Sequence, residues 1–128
     1  MAKVSKETAS EVMAVDGYEG RTQDLGGYTV AYETFTSDQD PAPLFVGLPD
    51  DHCQCPHWGT VVKGALTYRY TDGTSETATA GDAYYARPGH LPLFTAGTET
   101  IEFSPTDGLA ETVAVIGKNL EAMAATEA

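Results

Sequence analysis

The sequence predicts an all-β fold, a sandwich or barrel of short strands, followed by one C-terminal α-helix. Three observations carry that prediction. Between Gly26 and Phe103, short segments rich in Val, Thr and Tyr alternate with Gly, Pro and Asp punctuation, the pattern of about seven to nine evenly spaced strands. "TDGT" lies between the β-rich stretches "ALTYRY" and "SETATA", so Asp72-Gly73 marks a hairpin turn where positive φ is tolerated. After Phe103 the apolar period changes from that of a strand to that of a helix.

Taken in chain order, residues 5–14, "SKETASEVMA", read as a short helix or a disordered arm. "GGYTVAYETF" alternates and reads as a strand. "PLFVGL", residues 43–48, is a short apolar run and reads as a buried strand. "GDAYYA" is a strand, "RPGHLP" a Pro/Gly turn, and "LFTAGTETIEF" two short strands around Ala96-Gly97. In the tail, Ser104, Pro105 and Asp107 resemble a capping box with proline in the first turn, where its missing N–H costs nothing. Leu109, Val113, Ile116, Leu120 and Met123 then recur at spacings of 4, 3, 4 and 3. They define one apolar stripe, to be buried on the barrel or against a second subunit. Gly117 costs that helix about 1 kcal/mol relative to alanine, so the helix depends on packing. There is no repeat and no dividing linker. The expectation is a single domain over residues 1–128, with the barrel at about 26–103 and the helix at about 105–123.

Composition narrows the partners. With 19 acidic residues against 7 basic ones the formal charge is −12, which repels nucleic-acid backbones and anionic membranes. No apolar run approaches a membrane span. "MAKVSKETASEV" contains no apolar signal core, so the expected compartment is the cytoplasm. The 2 cysteines, Cys53 and Cys55, stand one residue apart. A disulfide between them would close a small strained ring and staple nothing distant. In a reducing compartment they are thiols or metal ligands.

The chemistry concentrates in "DDHCQCPHWG", residues 50–59. Thiolate and imidazole suit zinc, iron or copper. Were residues 51–57 one straight strand, Asp51, Cys53, Cys55 and His57 would share a face and His52 would point the other way. Four residues of straight strand span roughly 13 Å, too far for one ion to collect every ligand. Pro56 has no N–H for a ladder and predicts a bend there, bringing His57 back toward the cysteines. The remaining histidine, His90 on the "RPGHLP" turn, is the candidate fourth ligand. Trp58 reads as packing or a pocket wall.

On these residues the chain resembles the cupin family over roughly residues 43–103. The first cupin motif runs Gly, five residues, His-x-His, three or four residues, Glu, six residues, Gly. Here Gly47 leads after five residues to Cys53-Gln54-Cys55, and counting back six from Gly64 reaches His57. Counting back from His57 by the family's longer interval picks Asp51 and Cys53 instead, which keeps Asp51 a candidate. In the second motif, Gly81 and Gly89 are in place, Arg87 stands at the proline position, and His90 comes two residues before the usual histidine. The resemblance implies a double-stranded β-helix, or jelly-roll barrel, with Cys53, Cys55, His57 and His90 around a divalent metal, zinc foremost, iron or copper otherwise. It also implies a homodimer and a small-molecule ligand inside the barrel, with Glu33, Tyr68, Tyr85 and Arg87 as pocket candidates; Arg87 at the mouth could receive a carboxylate. Two functions compete on these residues. One is an enzyme acting on a small molecule at an open metal position. The other is a non-catalytic module that senses metal or redox state or binds a small molecule. A metal-free binding barrel with core cysteines is a third. No catalytic residue is assigned.

Overall fold

In the computed structural model, which describes residues 1–127, nine strands form two antiparallel sheets. The larger sheet holds β1 (Glu11–Val15), β2 (Tyr18–Leu25), β3 (Tyr28–Phe35), β9 (Glu99–Pro105), β4 (His57–Lys63) and β7 (Ala83–Ala86), in the order β1-β2-β3-β9-β4-β7. The smaller holds β5 (Ala65–Tyr70), β6 (Ser75–Thr79) and β8 (His90–Phe94), in the order β6-β5-β8. One helix, α1 (Thr106–Glu127), follows β9 directly. The fold is the all-β architecture with a C-terminal helix that the residue pattern predicts, and the jelly roll that the resemblance implies. No helix among the described residues is long and apolar enough to cross a membrane.

The alternation along β5 shows how the sheets face each other. Leu66, Tyr68 and Tyr70 are buried while the residues between them are half-exposed. With Phe35, Val61, Ala86 and Phe94 they fill the space between the sheets, and Phe35 stacks on Phe94 at 3.7 Å between ring centroids. The Asp72-Gly73 hairpin joins β5 to β6 in the register Arg69↔Ser75. Only Gly73 takes positive φ, 87°, a conformation that costs a residue without Cβ little.

Four expectations are corrected. The segment read as helix or arm contributes β1, paired to β2 from Glu11↔Thr22 to Val15↔Tyr18. "PLFVGL" is no strand. Pro41 and Pro43 lack ladder donors, so the chain forms a 3-10 turn over Ala42–Phe45, from which Phe45 is buried while Val46 is exposed. Phe45 and Leu48 form a second cluster with Cys53 and Cys55, covered by Leu109, Val115 and Ile116 of α1. Ser104 is not a helix cap; it is a buried residue of β9. Finally, the buried face of α1 is rotated from the apolar stripe. Val113 and Met123 are exposed, whereas Thr112 is buried and Asn119 donates to the carbonyls of Leu44 (2.7 Å) and Val46 (2.9 Å).

Candidate metal centre

Two strand pairings and one bend assemble the site. After a 3-10 turn over Pro49–Asp51, the chain runs antiparallel to the start of β8. The Cys53 N–H donates to the His90 carbonyl at 2.9 Å, and the Gly89 and His90 N–H groups donate back to the Cys53 carbonyl at 2.8 and 3.2 Å. Residues directly opposite in such a pair project to the same face, so Cys53 and His90 stand side by side. The chain then bends at Cys55-Pro56 and enters β4 at His57. The bend returns the His57 imidazole toward Cys53, with Nε2 3.6 Å from Sγ. One potential ligand atom each from Cys53, His57 and His90 lies within 4.8 Å of the others, and all three side chains are buried.

Hydrogen bonds fix both rings. The Arg87 carbonyl, which can only accept, lies 2.6 Å from His90 Nδ1, so the proton sits on Nδ1 and the Nε2 lone pair is free. His57 Nδ1 lies 2.7 Å from Ser104 Oγ. With Nδ1–H donating there, Nε2 presents its lone pair to the cluster. Burial pushes His57 down to about 4; burial and then the neighbouring His57 push His90 down to about 4. Both imidazoles are neutral at pH 7, the form that binds metals. Burial raises the Cys53 thiol, so a cation binding here must displace its proton.

The donor set passes a direct test of fit to a soft divalent ion. His90 Nε2 is buried and has no hydrogen-bond partner among the described residues, an arrangement that costs stability unless something occupies that lone pair. One thiol and two imidazoles suit zinc, copper or iron.

The other sequence candidates lie elsewhere. Cys55 is buried, but the bend that returns His57 turns its Sγ away, toward the Pro105 carbonyl (3.9 Å) and the start of α1. It belongs to the apolar cluster beneath the helix. Asp51 is exposed and accepts the Gly47 N–H at 3.0 Å. His52 Nδ1 lies 2.6 Å from the Asp50 carbonyl, outside the cluster.

No family model matches the chain, and no curated protein matches it. Solved structures do. The chain is similar to the polyketide cyclase RemF from Streptomyces resistomycificus, with TM-score 0.56 and 15% identity over 82% of this chain and 79% of that one. It is similar to a deletion mutant of Bacillus subtilis oxalate decarboxylase OxdC, with TM-score 0.56 and 13% identity over 80% of this chain and 28% of that one. It is also similar to a structure described as FeII HppE, with TM-score 0.55 and 11% identity over 81% of this chain and 60% of that one. The chain has the cupin fold. At these identities the likeness concerns the fold.

Within this cupin barrel the four pocket candidates separate. Tyr68 points inward: its ring lies 4.8 Å from that of His90 and its hydroxyl donates to Glu102 Oε1 at 2.6 Å. Tyr84 donates to the same oxygen at 2.9 Å. Glu33 accepts the Tyr18 hydroxyl at 2.7 Å; burial and then the Glu102 charge push its carboxyl up to about 8. Tyr85 lies beside Trp58, ring centroids 5.1 Å apart, and both are exposed, yet Tyr85 also borders the cleft between β6 and β7. Arg87 lies 3.8 Å above the Tyr70 ring and pairs with Asp72 at 3.2 Å, so its charge already has a partner. A cleft of about 390 Å³ opens between β6 and β7, lined by Tyr68, Tyr70, Tyr84, Glu76 and Arg87 among others. Tyr68 lines this cleft, and its ring lies 4.8 Å from that of His90 and 6.5 Å from that of His57.

Sequence reasoning missed Ser104, Glu102 and Thr112. Thr100, Glu102 and Ser104 occupy alternate, buried positions of β9. A period-2 row of polar residues on a strand that also carries Ile101 and Phe103 was the available signal.

Proposed function

We propose that this chain is a metal-binding cupin in which Cys53, His57 and His90 hold one divalent transition ion, zinc foremost and iron or copper otherwise, beside a small-molecule site in the barrel. The observation that supports it most is the buried, unpartnered Nε2 of His90, facing a thiol and a second neutral imidazole. Three protein ligands leave a coordination position for a small molecule. A bound ion would supply Lewis-acid polarisation of an oxygen on that molecule.

The chain's own residues supply the rest. Ser104 and the Arg87 carbonyl hold the two imidazoles in orientation. Tyr68 and Tyr84 hold Glu102 by one carboxyl oxygen, and the Tyr68 ring lies beside His90 at the edge of the cleft. A small molecule in the cleft meets tyrosine hydroxyls and the mixed charges of Glu76, Asp82 and Arg87.

A non-catalytic module is the second reading. The deep burial of the three ligands, at 1% exposure for Cys53, 6% for His57 and 1% for His90, favours it. The proposal extends to a cytoplasmic homodimer without nucleic-acid or membrane partners, in keeping with the charge of −12. The test is elemental analysis of protein purified under reducing conditions, with His90→Ala alongside. Near-stoichiometric metal in the wild type, lost in the variant, is the expected result. Wild type without metal after reconstitution with zinc, iron and copper would sink the proposal.

A further inference from the structure

Each of the three candidate ligands has its own polar partner. His57 has Ser104 on β9, and His90 has the Arg87 carbonyl after β7. The Cys53 thiol has the Cys55 carbonyl as an acceptor at 3.8 Å, and from outside the sheets Thr112 Oγ1 of α1 lies 3.3 Å from Sγ.

Thr112 is out of place as mere packing. It is 4% exposed, on the helix face that also carries Leu109, Val115 and Ile116 against the apolar cluster. A valine would fill the same volume there without burying a hydroxyl, and buried hydroxyls are costly unless hydrogen-bonded. The other polar residue on this face, Asn119, is accounted for by its bonds to the carbonyls of Leu44 and Val46. Among the described residues, the hydrogen-bond partner of Thr112 Oγ1 is Cys53 Sγ alone. One turn earlier, Gly108 lies against Cys55: a Cβ added there would be 3.5 Å from its Sγ, an ordinary van der Waals contact. The helix start is therefore seated on the cysteine segment itself.

We propose that Thr112 is a positioning residue of the metal centre: its hydroxyl donates to Cys53 Sγ and makes the docked helix α1 part of the ligand surroundings. The inference rests on the metal-binding reading above. A metal-bound thiolate carries no proton, so Thr112 must be the donor of this bond in the loaded state. That donation withdraws charge from sulfur and fixes its direction, as partners of metal ligands do. Because binding and docking share the bond, the coupling is reciprocal: the ion strengthens helix docking, and docking strengthens ion binding.

The experiment compares full-length wild type, Thr112→Val and Thr112→Ser in zinc competition titrations, in the sulfur-to-cobalt charge-transfer band after Co²⁺ loading, and in amide exchange of residues 106–126 with and without Zn²⁺. Thr112→Val should bind Zn²⁺ about ten- to a hundred-fold more weakly. Its charge-transfer band should move to longer wavelength, because the sulfur has lost a hydrogen bond. Zn²⁺ should slow exchange along α1 in wild type and Thr112→Ser and do so much less in Thr112→Val. A purely structural role would change the metal-free melting temperature but leave the band in place. If Thr112→Val fails to fold, Thr112→Ala against Thr112→Ser carries the same comparison. Wild type and Thr112→Val with equal affinity and the same band would overturn this inference alone. Wild type that takes up neither ion would overturn the metal reading and this one with it.

Discussion

Glu33→Gln isolates a stability term that the barrel interior creates. Glu33 lies on β3 and accepts the Tyr18 hydroxyl at 2.7 Å. Burial, then the Glu102 charge, raise its carboxyl from 4.5 to about 8. The folded state thus holds this proton more tightly than the unfolded chain. The associated stability is fully present below about pH 4.5 and is lost as pH rises through about 8. At about 1.4 kcal/mol per pH unit, the gap sets a ceiling of several kcal/mol. Below pH 6.5 the imidazoles act in the opposite sense. His57 and His90, lowered from 6.5 to about 4, are neutral in the folded chain but protonated in the unfolded one, so stability rises with pH in that range. The metal-free protein should therefore be most stable near pH 6–7. The assay is the urea midpoint or melting temperature under reductant from pH 5 to 9. Wild type should lose several degrees between pH 6.5 and 9. Glu33→Gln keeps an acceptor for Tyr18 and should be flatter and more stable at pH 9, with a residual slope from Glu102, which burial also raises. A wild-type profile flat from pH 6.5 to 9, or a variant as steep as wild type, would refute the reasoning.

Three further outcomes follow from single contacts. Ser104→Ala removes the partner of His57 Nδ1 and should weaken metal binding about tenfold or more with the fold intact, measured by competition titration and circular dichroism. Cys55→Ser should keep full metal stoichiometry but lose about 1–3 kcal/mol of stability, because it buries a hydroxyl in an apolar cluster; chemical denaturation beside elemental analysis separates the two effects. Gly59→Ala should destabilise by about 1–3 kcal/mol, since its Cβ would lie 2.6 Å from Tyr84 Oη and 2.7 Å from the Ile101 carbonyl; a loss below about 0.5 kcal/mol, at the level of a neutral surface change, would show that the Tyr84–Glu102 bond can shift.

Much of this architecture is legible in the residues. Period-2 runs such as "ALTYRY" mark strands because one face must be buried, and Asp72-Gly73 marks its hairpin because Gly73 needs positive φ. Cys53, Cys55, His57 and His90 stand out by chemistry alone. What the sequence hides is set by tertiary pairing. Cys53 meets His90 through a backbone bridge between residues 37 apart, which no local spacing encodes. Cys55 looks equivalent to Cys53 until the bend at Cys55-Pro56 separates them. Ser104 reads as a helix cap by its neighbours Pro105 and Asp107, but the demand of His57 Nδ1 for a partner keeps it in β9. Counting apolar residues on α1 selects Val113, yet the polar bonds of Thr112 and Asn119 turn the helix so that Val113 faces solvent.

The most direct test of the central claim is X-ray absorption at the metal edge of the reconstituted protein, beside Cys55→Ser. The account predicts one sulfur at about 2.3 Å and two imidazole nitrogens at about 2.0–2.1 Å, unchanged in the variant. Two sulfurs that become one in Cys55→Ser, or a shell of oxygen and nitrogen alone, would contradict it.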